Sequence, residues 1–66
     1  MAIAKVLEVI AESETSWDDA AQNALTEASK SVRNIKHLYV KDMQAIIEDG
    51  QIVKYRLNAN LTFVVD

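Results

Sequence analysis

Apolar and polar residues alternate strictly along the last third of the chain. Every second residue over positions 53–65 is apolar: Val53, Tyr55, Leu57, Ala59, Leu61, Phe63 and Val65. Alternation with a period of two predicts a β-strand that buries one face. A strand of about 13 residues extends over roughly 43 Å, at about 3.3 Å per residue. One short helix cannot cover a sheet of that length, so we expect another copy of the chain to cover the remainder.

Two further elements are predicted near the start of the chain. Residues 3–11 are rich in Ile, Val and Leu and predict a first strand, and the polar residues 12–15 predict a turn. Apolar residues then recur at helical spacing and predict a helix that Asn34 is expected to end. The apolar stripe consists of Trp17, Ala20, Ala21, Ala24, Leu25, Ala28, Val32 and Ile35.

The start of this helix carries the expected capping residues. Ser16 is predicted to be the N-cap, and Asp19, three residues later, completes a capping-box pattern. Asp18 and Asp19 suit the positive end of the helix dipole, and Lys30 and Arg33 suit its negative end. We expect Trp17 to be a packing anchor, either within the chain or at an interface.

A second strand is predicted over residues 35–48, and Asp49-Gly50 then gives a strong hairpin signal. A two-residue turn pairs Glu48 with Gln51, Ile46 with Val53 and Leu38 with Leu61. One face then carries Leu38, Val40, Ile46, Tyr55, Leu57 and Phe63. The opposite face carries His37, Tyr39, Met43, Ala45, Ile47, Arg56, Asn58, Asn60 and Thr62. A β-bulge would shift this register over residues 42–45. The predicted fold is α+β, with the order β-α-β-β, in a single domain over residues 1–66.

Composition favours an oligomer. The chain has 66 residues, half of them hydrophobic, with no Cys and one His. Without cysteine it forms neither a disulfide nor a thiolate metal site, and a site with several His ligands can form only between subunits. A domain of this size buries only about 60% of its unfolded surface. We therefore expect oligomerisation to supply the missing burial.

Charge and hydropathy exclude other partners. The net charge of −3 disfavours nucleic acid, because nucleic acid requires a basic surface. No apolar run approaches the about 20 residues that span a bilayer. Residues 1–5 lack the charged and apolar blocks of a signal peptide. We expect a soluble cytoplasmic protein that binds neither nucleic acid nor membrane.

Few residues indicate catalysis, and we expect no enzymatic activity. His37 has no nucleophile beside it and forms no triad by itself, so it is either a surface or interface residue or a ligand contact. Arg56 could meet a phosphate or carboxylate, but we expect it to form an ion pair across a subunit interface. Asp42, in mid-strand, needs a partner such as Lys41, Arg56 or a cation shared between subunits.

Three segments resemble the dodecins, and together they cover nearly the whole chain in order. They are Thr15-Ser16-Trp17-Asp18-Asp19-Ala20, residues 28–35 (ASKSVRNI), and residues 47–52 (IEDGQI) followed by Tyr55 and a terminal strand with Phe63. The resemblance implies a three-stranded antiparallel sheet wrapped around one helix. It also implies a hollow homododecamer that binds or sequesters a small ligand.

The resemblance implies a candidate site as well. Many dodecins bind flavins in pairs between subunits, and the position of their stacking tryptophan is His37 here. The position of their ring-binding glutamine is Arg56, and that of an arginine linked to phosphate-bearing ligands is Gln44. We therefore expect a flavin such as riboflavin or FMN in an altered pocket. The alternative is a flavin-free shell that binds a cation such as calcium, through unassigned ligands, or that is purely structural.

Overall fold

The computed structural model describes residues 3–65. Met1, Ala2 and Asp66, which belong to the predicted domain, lie outside the described residues, and Met1 and Ala2 are also part of the segment searched for a signal peptide. The elements are β1 (Ile3–Ser13), α1 (Trp17–Ala28), β2 (Ile35–Glu48) and β3 (Gln51–Val65). The strands form one antiparallel sheet in the order β1-β3-β2. The predicted β-α-β-β order and α+β class are confirmed.

The core lies between α1 and the central strand β3. Leu57, Ala59 and Leu61 are buried at every second position of β3, as the alternation predicts. Ala20 and Ala24 of α1 are also buried against this face. Alanine has a short side chain, so the helix lies close to the sheet.

The hairpin between β2 and β3 has the predicted turn. Asp49 and Gly50 both have positive φ, at 52° and 75°, as a type I′ turn requires. The predicted pairs Glu48–Gln51 and Leu38–Leu61 are confirmed. The predicted pair Ile46–Val53 is wrong, because Ile46 lies opposite Lys54.

Two of the three register shifts in this hairpin reverse predicted face assignments. Val53 is an extra residue on β3, and Lys41 is an extra residue on β2. Each extra residue reverses the alternation of the strand that carries it. The face assignments predicted for four residues are therefore wrong. Met43 (opposite Leu57), Ala45 (opposite Tyr55) and Ile47 lie on the helix side, and Ile46 lies on the other side.

The helix begins at Trp17 with Ser16 as its N-cap, as predicted. Ser16 Oγ accepts from the backbone N–H of Asp19 at 3.0 Å. The reciprocal hydrogen bond of a capping box, from the backbone N–H of Ser16 to the Asp19 carboxylate, is absent among the described contacts. That carboxylate instead accepts from the hydroxyl of the buried Ser13 at 2.7 Å. Ser13 Oγ in turn accepts from the N–H groups of Thr15 and Ser16, so β1 extends two residues further than predicted.

The helix ends earlier than predicted. It stops at Ala28, with Ser29 as its C-cap, and Lys30 and Arg33 therefore lie beyond it. Serine side chains compete for backbone hydrogen bonds and favour caps and turns, and Ser29 and Ser31 both fall here. Asn34 has a φ of 63° and exchanges hydrogen bonds with the backbone of Val64. It therefore lies just before β2 and does not end the helix.

A single helix leaves much of the sheet uncovered. The 12 residues of α1 extend over about 18 Å, whereas the chain extends over 52 Å. Met43 and Ile47 on the helix side are 56% and 62% exposed, and Ile10 and Tyr39 on the other side are 67% and 66% exposed. The prediction that one helix cannot cover this sheet is confirmed. Within residues 3–65, no helix is long and apolar enough to cross a membrane.

Candidate ligand-binding face

The sheet face turned away from α1, which we call the outer face, carries all three predicted site residues, His37, Gln44 and Arg56. Residues opposite one another in an antiparallel pair share a face. The register therefore assigns three groups to the outer face. They are Lys54, Arg56, Asn58, Asn60 and Thr62 on β3; His37, Tyr39, Asp42, Gln44 and Ile46 on β2; and Val6, Glu8, Ile10 and Glu12 on β1.

Gln44 and Arg56 are direct cross-strand partners on this face. Such partners have Cβ atoms about 5 Å apart. The amide of Gln44 both donates and accepts hydrogen bonds, whereas the guanidinium of Arg56 only donates. One protomer therefore presents a mixed donor and acceptor group beside a cation.

His37 lies far from this pair within one protomer. It is opposite Thr62, six positions along β3 from Arg56, which corresponds to about 20 Å. His37 is exposed, and a shallow recess beside it is also lined by Leu25 and Ile35. A ligand the size of one aromatic ring system that touches all three predicted residues must therefore lie between copies of the chain.

Arg56 is held by a carboxylate of the same chain. Its Nε lies 2.6 Å from Oε2 of Glu12, and the Nζ of Lys54 lies 3.8 Å from the other oxygen, Oε1. The hydrogen bond from Arg56 lowers the pKa of the Glu12 carboxyl, partial desolvation opposes it, and the charges of Arg56 and Lys54 add to the lowering. The ion pair that we expected across a subunit interface thus forms within the chain.

A second ion pair crosses the central strand. Lys41, the extra residue of β2, reaches Glu8 on β1 with a distance of 2.7 Å between Nζ and Oε2. This hydrogen bond and the opposite charges raise the pKa of Lys41 and lower that of Glu8. Lys41 therefore forms its ion pair with Glu8 and not with Asp42. Neither Glu8 nor Glu12 was predicted as a site residue, although their spacing of four on one strand places them on the same face.

Two further features of the site are not evident from the sequence. The side-chain oxygen Oδ1 of Asn60 is buried and has no hydrogen-bond partner among the described residues. A buried polar atom of this kind usually has a partner, and a second copy, a water or a ligand would supply one. On the helix side, Trp17 Nε1 donates to the backbone carbonyl of Gln44 at 3.0 Å. Trp17 is thus a packing anchor within the chain, which is the first of the two predicted alternatives.

The acidic residues of one protomer do not by themselves form a metal centre. Within residues 3–65, no group of three or more His, Cys, Asp or Glu side chains is arranged to hold a metal ion. Asp42 lies opposite Asn58 on the outer face, so a carboxylate and an amide oxygen lie side by side there. A cation at this position would need further ligands from other copies.

Comparison with known proteins identifies the relatives of this chain. The family model described as Dodecin matches residues 3–66. The protein called calcium dodecin from Mycobacterium tuberculosis is 30% identical over 63 residues, which is 96% of this chain and 89% of the relative. The structure of dodecin from Streptomyces coelicolor has a TM-score of 0.93 and 31% identity, and the match covers 98% of this chain and 93% of that one.

A third match is a crystal structure of calcium dodecin from Mycobacterium tuberculosis, described as a calcium-chelating antigen with a novel calcium-binding site. Its TM-score is 0.82 at 30% identity, and the match covers 92% of this chain and 87% of that one.

Proposed function

The chain belongs to the dodecin family, and on that premise we propose that it forms a non-enzymatic homododecamer that binds or sequesters a small ligand of the flavin type. The proposal takes residues 1–66 as one domain and locates the protein in the cytoplasm. The ligand lies on the outer face, between copies of the chain.

The observation that carries this proposal is the pairing of Gln44 with Arg56. In the dodecins that the sequence resembles, the arginine belongs to the second strand and the glutamine to the third. Here the two residue types are exchanged, and the two positions lie directly opposite each other. The exchange therefore keeps one amide and one guanidinium side by side and moves each by about 5 Å.

The amide of Gln44 suits the polar edge of an isoalloxazine ring. That edge has two carbonyl acceptors on either side of an N–H donor, and only a group that both donates and accepts matches it. Arg56 alone accepts nothing. We assign the ring-edge contact to Gln44, with Arg56 beside it.

His37 is assigned the stacking surface. It is exposed on the outer face and about 20 Å from Arg56 within one protomer, so it contacts the ligand from a different copy than the Gln44–Arg56 pair. An imidazole offers less area than an indole, which weakens stacking but leaves the geometry of the contact unchanged.

The exposed apolar surface supports the homododecamer. Large apolar side chains are exposed on both sides of the sheet, including Met43, Ile47, Val6 and Ile10. A chain of 66 residues is close to the size at which one core barely stabilises a fold. Association of copies buries these side chains and also creates the sites between copies that the separation of His37 from Arg56 requires.

Titration of riboflavin fluorescence tests the proposal. We expect the assembled protein to quench riboflavin, and Gln44→Ala to weaken binding about 2- to 13-fold, which corresponds to one net hydrogen bond of about 0.5–1.5 kcal/mol. Gln22→Ala is the matched control, because Gln22 is exposed on α1 and hydrogen-bonds only to Thr26 among the described contacts. Absence of quenching, or equal losses in the two variants, would reject a flavin site at Gln44.

The second candidate ligand is calcium. It is favoured by the facing oxygens of Asp42 and Asn58 on the outer face, since carboxylate and amide oxygens are ligands that Ca²⁺ prefers. The relative called calcium dodecin and the solved structure of calcium dodecin, both from Mycobacterium tuberculosis, are named for calcium. Calorimetric titration of the assembled protein with Ca²⁺ should then give a heat of binding. Asp42→Asn should abolish this heat, and the control Asp49→Asn, at the hairpin turn, should leave it intact. Heat that persists in Asp42→Asn would reject this position.

A further inference from the structure

One carboxylate contacts both cations beside the candidate ring-edge contact. Glu12 Oε2 accepts from Nε of Arg56 at 2.6 Å and lies 2.5 Å from its Nη2. The other oxygen lies 3.8 Å from Nζ of Lys54. Glu12 belongs to β1, so it approaches Arg56 from the side of β3 opposite to Gln44.

The charges around the Gln44–Arg56 pair therefore cancel. Arg56 and Lys54 contribute two positive charges, and Glu12 and Asp42, two positions before Gln44 on the same face, contribute two negative charges. The next ion pair along the face, Lys41–Glu8, is also balanced. A phosphate near Gln44 meets a guanidinium that already has a carboxylate partner. The phosphate must displace that carboxylate before Arg56 can form a bidentate pair with it.

We propose that Glu12 is the positioning residue that sets ligand choice in this protein. By holding Arg56 towards β1, it makes the outer-face site select an uncharged isoalloxazine ligand over one that carries a phosphate. This inference rests on the proposed flavin-type function and assigns its specificity to a residue that does not itself touch the ligand.

Affinities for riboflavin and FMN measure this choice, because the two ligands share one ring and differ by a phosphate. The wild-type assembly should bind riboflavin at least as tightly as FMN. Glu12→Gln frees Arg56 and removes one negative charge, so the ratio of FMN to riboflavin affinity should rise about two- to fivefold, the range of an exposed ion pair. Glu12→Asp keeps the charge but shortens its reach, and it should raise the ratio by less. It serves as the test if Glu12→Gln does not assemble.

Two comparisons separate this role from a general change of charge. Glu8→Gln makes the same charge change four positions earlier on the same face of β1, and it should leave the ratio within error of wild type. In an Arg56→Gln background, Glu12→Gln should no longer raise the ratio, because the guanidinium that it releases is missing.

The outcomes separate failure of the proposed role of Glu12 from failure of the proposed flavin function. If both flavins bind and Glu12→Gln leaves the ratio unchanged, or Glu8→Gln raises it equally, or the rise persists without Arg56, the role of Glu12 is overturned while the flavin site stands. If neither flavin binds to the assembled wild type, the proposed flavin function is rejected and this selectivity with it.

Discussion

Trp17 and Gln44 are joined through the sheet, because the indole Nε1 lies 3.0 Å from the carbonyl oxygen of Gln44. The same indole packs edge-on against Tyr55, with ring centroids 4.9 Å apart. Tyr55 precedes Arg56, so the first turn of α1 contacts both strands where Gln44 and Arg56 face each other. The helix therefore supports the outer-face pair from the opposite side of the sheet.

Loss of this indole hydrogen bond should weaken both the fold and the site. Trp17→Phe keeps an aromatic ring against Tyr55 but removes the N–H, which corresponds to about 0.5–1.5 kcal/mol of unfolding free energy. We expect a lower melting temperature and weaker riboflavin binding. Tyr39→Phe, on the exposed outer part of β2, also replaces a polar aromatic residue and provides the comparison for stability. A Trp17→Phe protein with wild-type melting and wild-type affinity would show that the hydrogen bond contributes to neither.

The helix cap provides a second test. Ser16→Ala removes the acceptor for the N–H of Asp19, so unfolding free energy should fall by about 0.5–2 kcal/mol per protomer. Ser29→Ala at the other end of α1 is the matched control, because Ser29 contributes its backbone N–H to the cap. Thermal melts of the two variants should differ. Equal melting temperatures would argue against Ser16 as a stabilising cap.

Acid stability should depend on Glu12. Its pKa in the folded protein is lower than the ordinary value of 4.5, chiefly because of the hydrogen bond from Arg56. A lowered folded-state pKa stabilises the protein above the unfolded-state value, and this stabilisation is lost as the pH falls through the folded-state value. Between pH 7 and acid below 4.5, the melting temperature of Glu12→Gln should therefore fall less than that of wild type.

Glu14→Gln is the control for this pH dependence. It removes a carboxylate from the exposed turn between β1 and α1 with the same change of net charge. If Glu14→Gln and Glu12→Gln reduce the acid sensitivity equally, the effect arises from overall charge and not from the pair with Arg56.

His37→Trp should improve flavin binding. Indole provides a larger stacking surface than imidazole, and aromatic stacking contributes about 0.5–1.5 kcal/mol beyond buried area. Riboflavin affinity should therefore rise about 2- to 13-fold, measured by fluorescence quenching. Adding Arg56→Gln to His37→Trp should produce a smaller further rise in riboflavin affinity, because Gln44 already provides an amide at that point of the face. Unchanged or weaker binding by His37→Trp would place the stacking contact elsewhere.

The strands and the hairpin were predictable because their signals are local. The alternation around Leu57 and the Asp49-Gly50 turn each depend on a few neighbouring residues, and both are confirmed. The helix end was misplaced because Val32 and Ile35 continue the helical spacing of apolar residues by coincidence. In the structure, Ile35 instead begins β2 and faces Phe63.

The site was less predictable because it depends on register and strand order. Nothing in the residue type of Lys41 indicates a bulge, yet this single residue moves Met43 and Ala45 to the helix side. The contact between Glu12 and Arg56 joins residues 44 positions apart and exists because β1 lies next to β3. Gln44 and Arg56 could be aligned with dodecin positions from the sequence, but their direct pairing required the register.

Sedimentation velocity with riboflavin present tests the central claim most directly. Protein absorbance and the visible absorbance of the flavin are recorded in the same run at micromolar protein. The account predicts one boundary near twelve times 7.4 kDa, with flavin moving in it. A stable folded monomer, or a large particle that leaves all flavin behind, would contradict it.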